Sequence, residues 1–165
     1  MTLNEIMATG IEPALAWLPS KMTSPEAKVI LLATGSQESR FEHRWQVLND
    51  PSKKGPARSF WQMEEGGGVK GVLNHPASRP YALNACLLRG VAPDPRSVWL
   101  AIENDDVLAA IWARLLYWTT PGALPRVTDS AGAWSLYLST WRPGKPKPDT
   151  WPANHKAARA FLGYP

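Results

Sequence analysis

The chain has 165 residues, a length that suits one domain with a single hydrophobic core. Its 44% hydrophobic and 19% charged residues exclude a chain that is disordered throughout, and no apolar run approaches the roughly 18 residues of a membrane span. The net charge of +4 and the pI of about 9.4 suit an anionic polymer as partner, either a nucleic acid or an acidic cell-wall layer.

The first segment, residues 1–22, predicts one or two short helices that are interrupted at Pro13 and Pro19. It carries Glu5 and Glu12 and has no basic residue before an apolar stretch, so it lacks the pattern of a secretory signal. We therefore expect no signal peptide, and any action outside the cytoplasm would require another route of delivery.

The clearest helix is predicted over residues 24–38. Ser24 is a good N-cap, and Pro25 suits the first helical position. The following run, AKVILLA, places apolar side chains on every side of the helix, which is typical of a central buried helix. The C-terminal end of that helix is then expected to carry Glu38 out of the core.

The second half of the chain predicts mostly helices. Any sheet is expected to be small and to lie between about residues 42 and 64, and Gly66–Gly68 predict a flexible or tightly turned loop. Further helices are predicted at 81–88, from residue 95, over 104–118 with Asn104 as N-cap, over 130–141, and at 153–162. Together these elements predict one helical domain over 1–142 and a Pro-rich basic extension over 143–165 with a closing helix.

Two short motifs carry a resemblance to a known superfamily. ATGSQESRFEH resembles the Glu-Ser motif of lytic transglycosylases and goose-type lysozymes, in which an apolar helix ends in Glu-Ser. Downstream, GPARSFWQME resembles the stretch that these families write as GxxGLMQVD or ARGLMQ. Phe60, Trp61 and Gln62 stand at the Leu, Met and Gln positions, and Glu64 stands at the goose-type Asp. The two motifs follow in the right order, and the interval from Glu38 to Glu64 is close to that of the goose-type family.

Two positions depart from the family pattern. Ser59 replaces the glycine that precedes Leu-Met-Gln in the second motif. The third motif of these families, Ala-Tyr-Asn, is matched here by Tyr117, which is followed by Trp118 in place of Asn. The resemblance covers roughly residues 20–65 well and the rest of the chain poorly.

The resemblance implies a mainly α (α+β) lysozyme-like fold whose central helix presents Glu38 to a cleft. It also implies cleavage of the MurNAc–GlcNAc β-1,4 bond of peptidoglycan glycan strands, with Glu38 as general acid/base. Glu64 would be the second catalytic carboxylate, with Glu65 as the fallback. The residues implied to bind substrate are Ser39, Trp61, Gln62 and Tyr117. The activity would be that of a lytic transglycosylase or of a lysozyme-type muramidase.

The residues themselves leave alternatives open. A carboxyl at the end of an apolar helix acquires the raised pKa that a general acid needs, but Glu38 would equally suit a pair with Arg40 or Arg44. Trp61 and Tyr117 suit core packing as well as sugar binding. Ser39 suits a helix cap, Gln62 a core-turn amide, and the Glu64–Glu65 pair a solvated acidic turn.

The sequence predicts neither a metal nor a cofactor. Three isolated histidines and Cys86 offer no zinc-ligand spacing, and Cys86 itself suits a small buried core position. We expect a virion-associated protein, or one otherwise delivered to the cell wall, that acts in the periplasm or cell wall on glycan strands beside other virion proteins. Nucleic acid is a disfavoured partner because no compact basic stripe is visible.

Two rival functions remain at this level. The first is a non-catalytic phage structural or assembly protein that kept the fold, in which Glu38 pairs with Arg40. The second is a basic nucleic-acid-binding domain in which tryptophan and arginine side chains stack on bases.

Overall fold

The chain folds as a mainly α-helical single domain with a small antiparallel sheet, in a computed structural model that describes residues 1–50 and 52–165. The helices are α1 Leu3–Ile6, α2 Glu12–Trp17, α3 Pro25–Ser39, α4 Lys70–Asn74, α5 Arg79–Arg89, α6 Pro95–Ala101, α7 Asp106–Trp118, α8 Ser130–Trp141 and α9 Trp151–Phe161. The strands are β1 Trp45–Val47, β2 Lys54–Arg58 and β3 Met63–Glu64. The predicted fold class, mainly α with at most a small sheet, is confirmed.

Helix α3 is the buried central helix that the sequence predicts. Ser24 caps it, since its hydroxyl oxygen accepts a hydrogen bond from the Ala27 N–H at 3.2 Å. The run from Val29 to Gly35 is buried on all sides. The helix ends where Arg40 and Phe41 take up left-handed backbone conformations, with φ of 54° and 56°. Glu38 therefore lies in the last turn of the helix, one residue before its end at Ser39.

The N-terminal helix is continuous through Pro13, and the predicted break there is wrong. Between α1 and α2 the backbone forms a π-helical turn over Met7–Ile11, in which the Glu12 N–H bonds to the Met7 carbonyl. Pro13 then occupies the first turn of α2, the part of a helix that tolerates proline best. The π turn packs against α7 and so joins the N-terminal segment to the core.

The three strands form one antiparallel sheet in the order β1-β2-β3, inside the predicted 42–64 region. Trp45 pairs with Arg58 across the first ladder, and Ala57 pairs with Glu64 across the second. Of the two predictions for the glycines that follow, a flexible loop or a tight turn, the structure has a tight one, a π-helical turn over Glu65–Val69. Only Gly67 departs from helical backbone angles inside it, with φ of −98° and ψ of −110°.

Helix α7 begins one residue later than predicted, because Asp105 rather than Asn104 caps it. The Asp105 carboxylate accepts a hydrogen bond from the Leu108 N–H at 3.0 Å. The described part of the chain has no helix of the length and apolar character needed to cross a membrane.

The closing helix of the predicted C-terminal extension exists as α9, and it packs against α3. Trp151 at its start is 1% exposed, and its indole N–H donates to the Ser130 carbonyl at 3.0 Å. The last segment of the chain therefore contributes to the same core as residues 1–142.

Candidate active site around Glu38

Glu38 is half-buried in the last turn of α3, beside the side chain of Tyr137 from α8. The Tyr137 hydroxyl donates a hydrogen bond to Glu38 Oε1 at 2.5 Å. Burial raises the pKa of Glu38 to about 7, against the opposing effects of the Tyr137 hydrogen bond and the Lys147 charge. Near neutral pH this carboxyl therefore exchanges readily between its protonated and charged forms.

An aromatic cluster around Tyr137 forms an apolar wall on that side of the Glu38 carboxyl. The Tyr137 ring stacks on Trp151 with centroids 5.0 Å apart and on Trp134 at 5.2 Å. Trp141 stacks on the same ring at 6.3 Å. Trp134 and Trp141 are both partly exposed, so part of this cluster reaches the solvent.

The segment that leads into α9 also adjoins Glu38. The neighbouring Gln37 amide donates to the Lys147 carbonyl at 3.0 Å. Its oxygen accepts hydrogen bonds from Thr150 at 3.0 Å and from Asn154 at 2.8 Å. The end of α3 is thus fastened to the C-terminal segment, which brings the Lys147 charge close enough to lower the pKa of Glu38.

Ser39 is buried and bonds to the backbone at the end of α3, which matches the helix-cap alternative rather than contact with substrate. It is 7% exposed, and its hydroxyl donates to the Phe60 carbonyl at 2.7 Å. The same oxygen accepts a hydrogen bond from the Phe41 N–H at 3.1 Å. Ser39 therefore fixes the end of α3 against the turn that precedes β3.

Trp61 and Tyr117 are buried in the core, which is the alternative to substrate contact that their residue types left open. Trp61 is 0% exposed and its indole N–H donates to the Leu31 carbonyl at 2.9 Å. Tyr117 is 1% exposed, and its hydroxyl shares a hydrogen bond with Thr34 at 2.6 Å. Burial raises the pKa of Tyr117 and keeps it neutral.

Gln62 is half-buried, and its amide donates to the Ser59 carbonyl at 2.7 Å within its own turn. Glu64 is exposed on β3. Neither residue hydrogen-bonds to Glu38 in the part of the chain that the structure describes. Glu65, the fallback carboxylate, pairs with Arg96 at 3.1 Å.

Two cavities of the described structure lie away from Glu38 and Glu64. A cavity of about 350 Å³ lies at the opposite end of α3, where Ser24 and Glu26 line it. A second, very small one lies between α2 and α5. Among the predicted site residues, Tyr117 alone lines either of them.

The arginines near Glu38 do not neutralise it. Arg44 forms a two-pronged pair with Asp106 at the start of α7, with nitrogen to oxygen distances of 2.5 and 2.8 Å. Arg40 is exposed, and no ion pair joins it to Glu38 among the described residues. The pairing of Glu38 with either arginine, considered above as an alternative, is therefore absent from this region.

The sequence reasoning missed Tyr137, which is the one side chain among the described residues that hydrogen-bonds to the Glu38 carboxyl. The predicted stripe on this helix consisted of Trp134, Leu138 and Trp141. Tyr137 also lies on that face, because residues three and four positions apart are neighbours on a helix surface. This spacing was the available signal, but it does not reveal which distant carboxyl the hydroxyl meets.

The residues around Glu38 offer acid–base chemistry rather than metal binding. In the part of the chain that the structure describes, no group of three His, Cys, Asp or Glu side chains is arranged to hold a metal ion. Burial raises the pKa of the Cys86 thiol to about 11, so this cysteine is unreactive at neutral pH.

Comparisons with protein-family models, with curated proteins and with solved structures found no match to the chain.

Proposed function

We propose that the protein cleaves the MurNAc–GlcNAc β-1,4 bond of peptidoglycan, with Glu38 as general acid/base. The observation that carries this proposal is the half-buried Glu38 carboxyl, whose pKa is raised to about 7 and which no arginine neutralises. A general acid works best when its pKa lies close to the working pH. Glycoside cleavage needs such an acid against an apolar wall, which Tyr137 and its neighbouring tryptophans supply here.

The backbone of the second motif also supports the proposal. Ser59 stands where the resembled families carry glycine, and its φ is 67°, a left-handed conformation that favours glycine. Gln62 in the same turn has a φ of 50°. The backbone at Ser59 thus has the left-handed conformation that the glycine of the resembled families would adopt most easily. Ser39 ties this turn to the end of α3 through the Phe60 carbonyl, which places the two motifs side by side.

The arrangement favours a mechanism with one carboxylate. Glu38 is half-buried and has the raised pKa that a general acid requires, whereas Glu64 is exposed on β3, so the proposal assigns the catalytic role to Glu38 alone. Glu38 would protonate the glycosidic oxygen as the bond breaks. The resulting carboxylate would then accept the proton of the muramic acid 6-hydroxyl, whose oxygen closes on the anomeric carbon. The product is a 1,6-anhydro sugar, and no water is consumed.

Partly exposed tryptophans suit the flat faces of sugar rings. Trp134 and Trp141 are the candidates, in place of the buried Trp61. The net charge of +4 suits an acidic cell-wall layer. We propose that the protein is virion-associated or otherwise delivered to the cell wall, with other virion proteins as partners.

The test compares purified wild type, Glu38→Gln and Glu42→Gln on purified peptidoglycan, with products identified by mass spectrometry. Glu42 is an exposed glutamate just after α3, so its variant is a matched control for the loss of one negative charge. We expect Glu38→Gln to lose cleavage by at least about 100-fold, the usual contribution of a positioned general acid. Glu42→Gln should keep full activity.

The products and a third variant, Glu64→Gln, separate the two mechanisms. 1,6-Anhydromuropeptides and an active Glu64→Gln variant would support the one-carboxylate mechanism. Reducing ends with inverted configuration and an inactive Glu64→Gln variant would show an inverting hydrolase instead. Undiminished cleavage by Glu38→Gln would refute the proposal.

One observation favours a second candidate, a non-catalytic structural or assembly protein of a phage particle. Gln37, next to the acid, is held by hydrogen bonds to Lys147, Thr150 and Asn154, so the segment before α9 lies beside the carboxyl. In that case the wild type would leave peptidoglycan intact while remaining folded.

A further inference from the structure

Arg114 is a buried cation without a counter-ion. It lies in α7, is 3% exposed, and its Nε donates to the Met22 carbonyl at 2.8 Å. Its Nη1 is buried and has no hydrogen-bond partner, and no carboxylate of the described residues pairs with the guanidinium. Burial lowers the pKa of Arg114 to about 10, which leaves it charged at neutral pH. An unpaired buried charge is strongly unfavourable, so this arrangement favours an anion beside it.

Arg114 lines the cavity of about 350 Å³ at the N-terminal end of α3. That volume lies within the range of about 300–1,000 Å³ that is typical of small-molecule sites. The cavity is also lined by Lys21, whose ammonium lies 5.5 Å from the centroid of the Trp118 ring. The Arg114 guanidinium lies 5.3 Å from the same ring, so two cations flank Trp118 at this cavity.

After Arg114 and Lys21, the N-terminus of α3 is a third feature of this cavity that favours an anion. Ser24 and Glu26 line the cavity, and the first turn of a helix carries a partial positive charge. The Ala27 N–H is capped by the Ser24 hydroxyl and the Lys28 N–H by the Ser24 carbonyl. Pro25 has no N–H, so the Glu26 N–H is the free donor of this turn.

We propose that this cavity binds an oxoanion, the phosphate or carboxylate group of a small molecule, between Arg114 and Lys21 at the start of α3. The planar guanidinium presents paired donors that match either group, and the lysine adds a mobile point charge. This site lies at the opposite end of α3 from Glu38 and does not depend on the proposed glycan cleavage.

The Glu26 carboxylate opposes such a ligand, because it carries like charge at the wall of the same cavity. It is also the acidic member of the lining, and it forms no ion pair with Arg114 or Lys21. Neutralising Glu26 should therefore strengthen anion binding, whereas neutralising Lys21 should weaken it. This pair of opposite effects is specific to the cavity.

The test titrates inorganic phosphate and, separately, sodium acetate into the intact protein by isothermal titration calorimetry, at constant ionic strength set with chloride. We expect saturable binding of at least one oxoanion and a matching rise in the thermal unfolding midpoint. The anion that binds with the lower Kd identifies the ligand group as phosphate or carboxylate. Lys21→Ala should weaken binding by about tenfold, the loss of one charge-assisted hydrogen bond, and Glu26→Gln should strengthen it.

Lys156→Ala is the matched control, since Lys156 is an exposed lysine of α9 away from the cavity, and its variant should bind like wild type. Arg114→Met should abolish binding, and a buried cation replaced by an apolar side chain often leaves a protein as stable as before. If that variant does not fold, Lys21→Ala and Glu26→Gln still decide the outcome. No saturable binding of either oxoanion, or equal weakening by Lys21→Ala and Lys156→Ala, would overturn the proposal.

Discussion

Glu38 couples the stability of the protein to pH. In the unfolded chain a glutamate releases its proton near pH 4.5, whereas in the folded chain it keeps the proton to about pH 7. Between these values the folded state binds more protons than the unfolded state does, so the free energy of unfolding falls as pH rises. This shift in the pKa of Glu38 changes the free energy of unfolding by at most about 3 kcal/mol over the whole pH range.

The variant Glu38→Gln should remove that slope. Its amide does not titrate, so the free energy of unfolding of the variant, relative to wild type, should rise between pH 4.5 and 7 and level off above it. Urea unfolding of both proteins at a series of pH values measures the difference, which cancels the contributions of other groups such as His155. Parallel pH profiles for the two proteins would contradict the raised pKa of Glu38.

Tyr137→Phe should raise the pKa of Glu38 further. The hydroxyl stabilises the charged carboxylate through its hydrogen bond, and phenylalanine keeps the ring while removing that donor. The ¹³C chemical shift of the Glu38 carboxyl, followed against pH, measures the change without relying on activity. Tyr81→Phe is the control, since Tyr81 lies in α5 and does not touch Glu38. An unchanged midpoint in Tyr137→Phe would show that the hydroxyl does not interact with the carboxylate.

The turn that follows α3 brings the Phe41 ring into close contact with Gly35 of the helix. After Arg40 and Phe41 the backbone reverses, and the Phe41 ring settles against Gly35. A Cβ atom at Gly35 would lie 2.2 Å from Phe41 Cζ, a distance that no real contact shows. The glycine at position 35 therefore makes room for the Phe41 ring against α3.

Gly35→Ala should therefore destabilise the protein by about 1–3 kcal/mol, the usual cost of overpacking a core. The matched control is Gly71→Ala in α4, where nothing lies within 4 Å of the added Cβ. That change should leave stability unchanged or raise it by up to about 1 kcal/mol, because alanine is the better helix former. Chemical unfolding of the two variants measures both values, and equal effects would refute the steric role of Gly35.

The elements that sequence reasoning predicted correctly are those with local signals. Ser24 and the all-round apolar run define α3 without help from the rest of the chain. The π turns over Met7–Ile11 and Glu65–Val69 could not be predicted, since one of them is fixed by packing against α7 and both lack a sequence signature. The N-cap of α7 was misassigned by one residue because Asn104 and Asp105 are both good caps.

The same limit applies to the surroundings of Glu38. The position of the acid at the end of a buried helix follows from its own segment. Its partners, Tyr137 and Lys147, come from segments far along the chain, and the packing of α9 on α3 and of α8 on α9 brings them to the carboxyl. Trp61 illustrates the converse, because its residue type suits both core packing and sugar binding, and its burial in the fold supports core packing.

The packing of the last helix, α9, against the central helix, α3, contributes to the stability of the whole domain. Trp151→Ala should lower the free energy of unfolding by about 3–5 kcal/mol, as is usual for truncation of a buried tryptophan. Trp17→Ala is the matched control, because Trp17 is 52% exposed and should change stability little. Thermal or urea unfolding gives both values. Equal losses would show that α9 does not contribute to the core.

The stacking of Trp134, Tyr137 and Trp151 also gives the molecule an intrinsic optical signal. Their ring centroids lie 5.0 to 5.4 Å apart in a fixed, asymmetric arrangement. Rings held this way give a near-ultraviolet circular dichroism signal that disappears when tertiary packing loosens, even while helices persist. Because Tyr137 touches Glu38, that signal reports on the surroundings of the carboxyl. Spectroscopy without any added label could therefore follow this part of the protein through titration, substitution or contact with a cell wall.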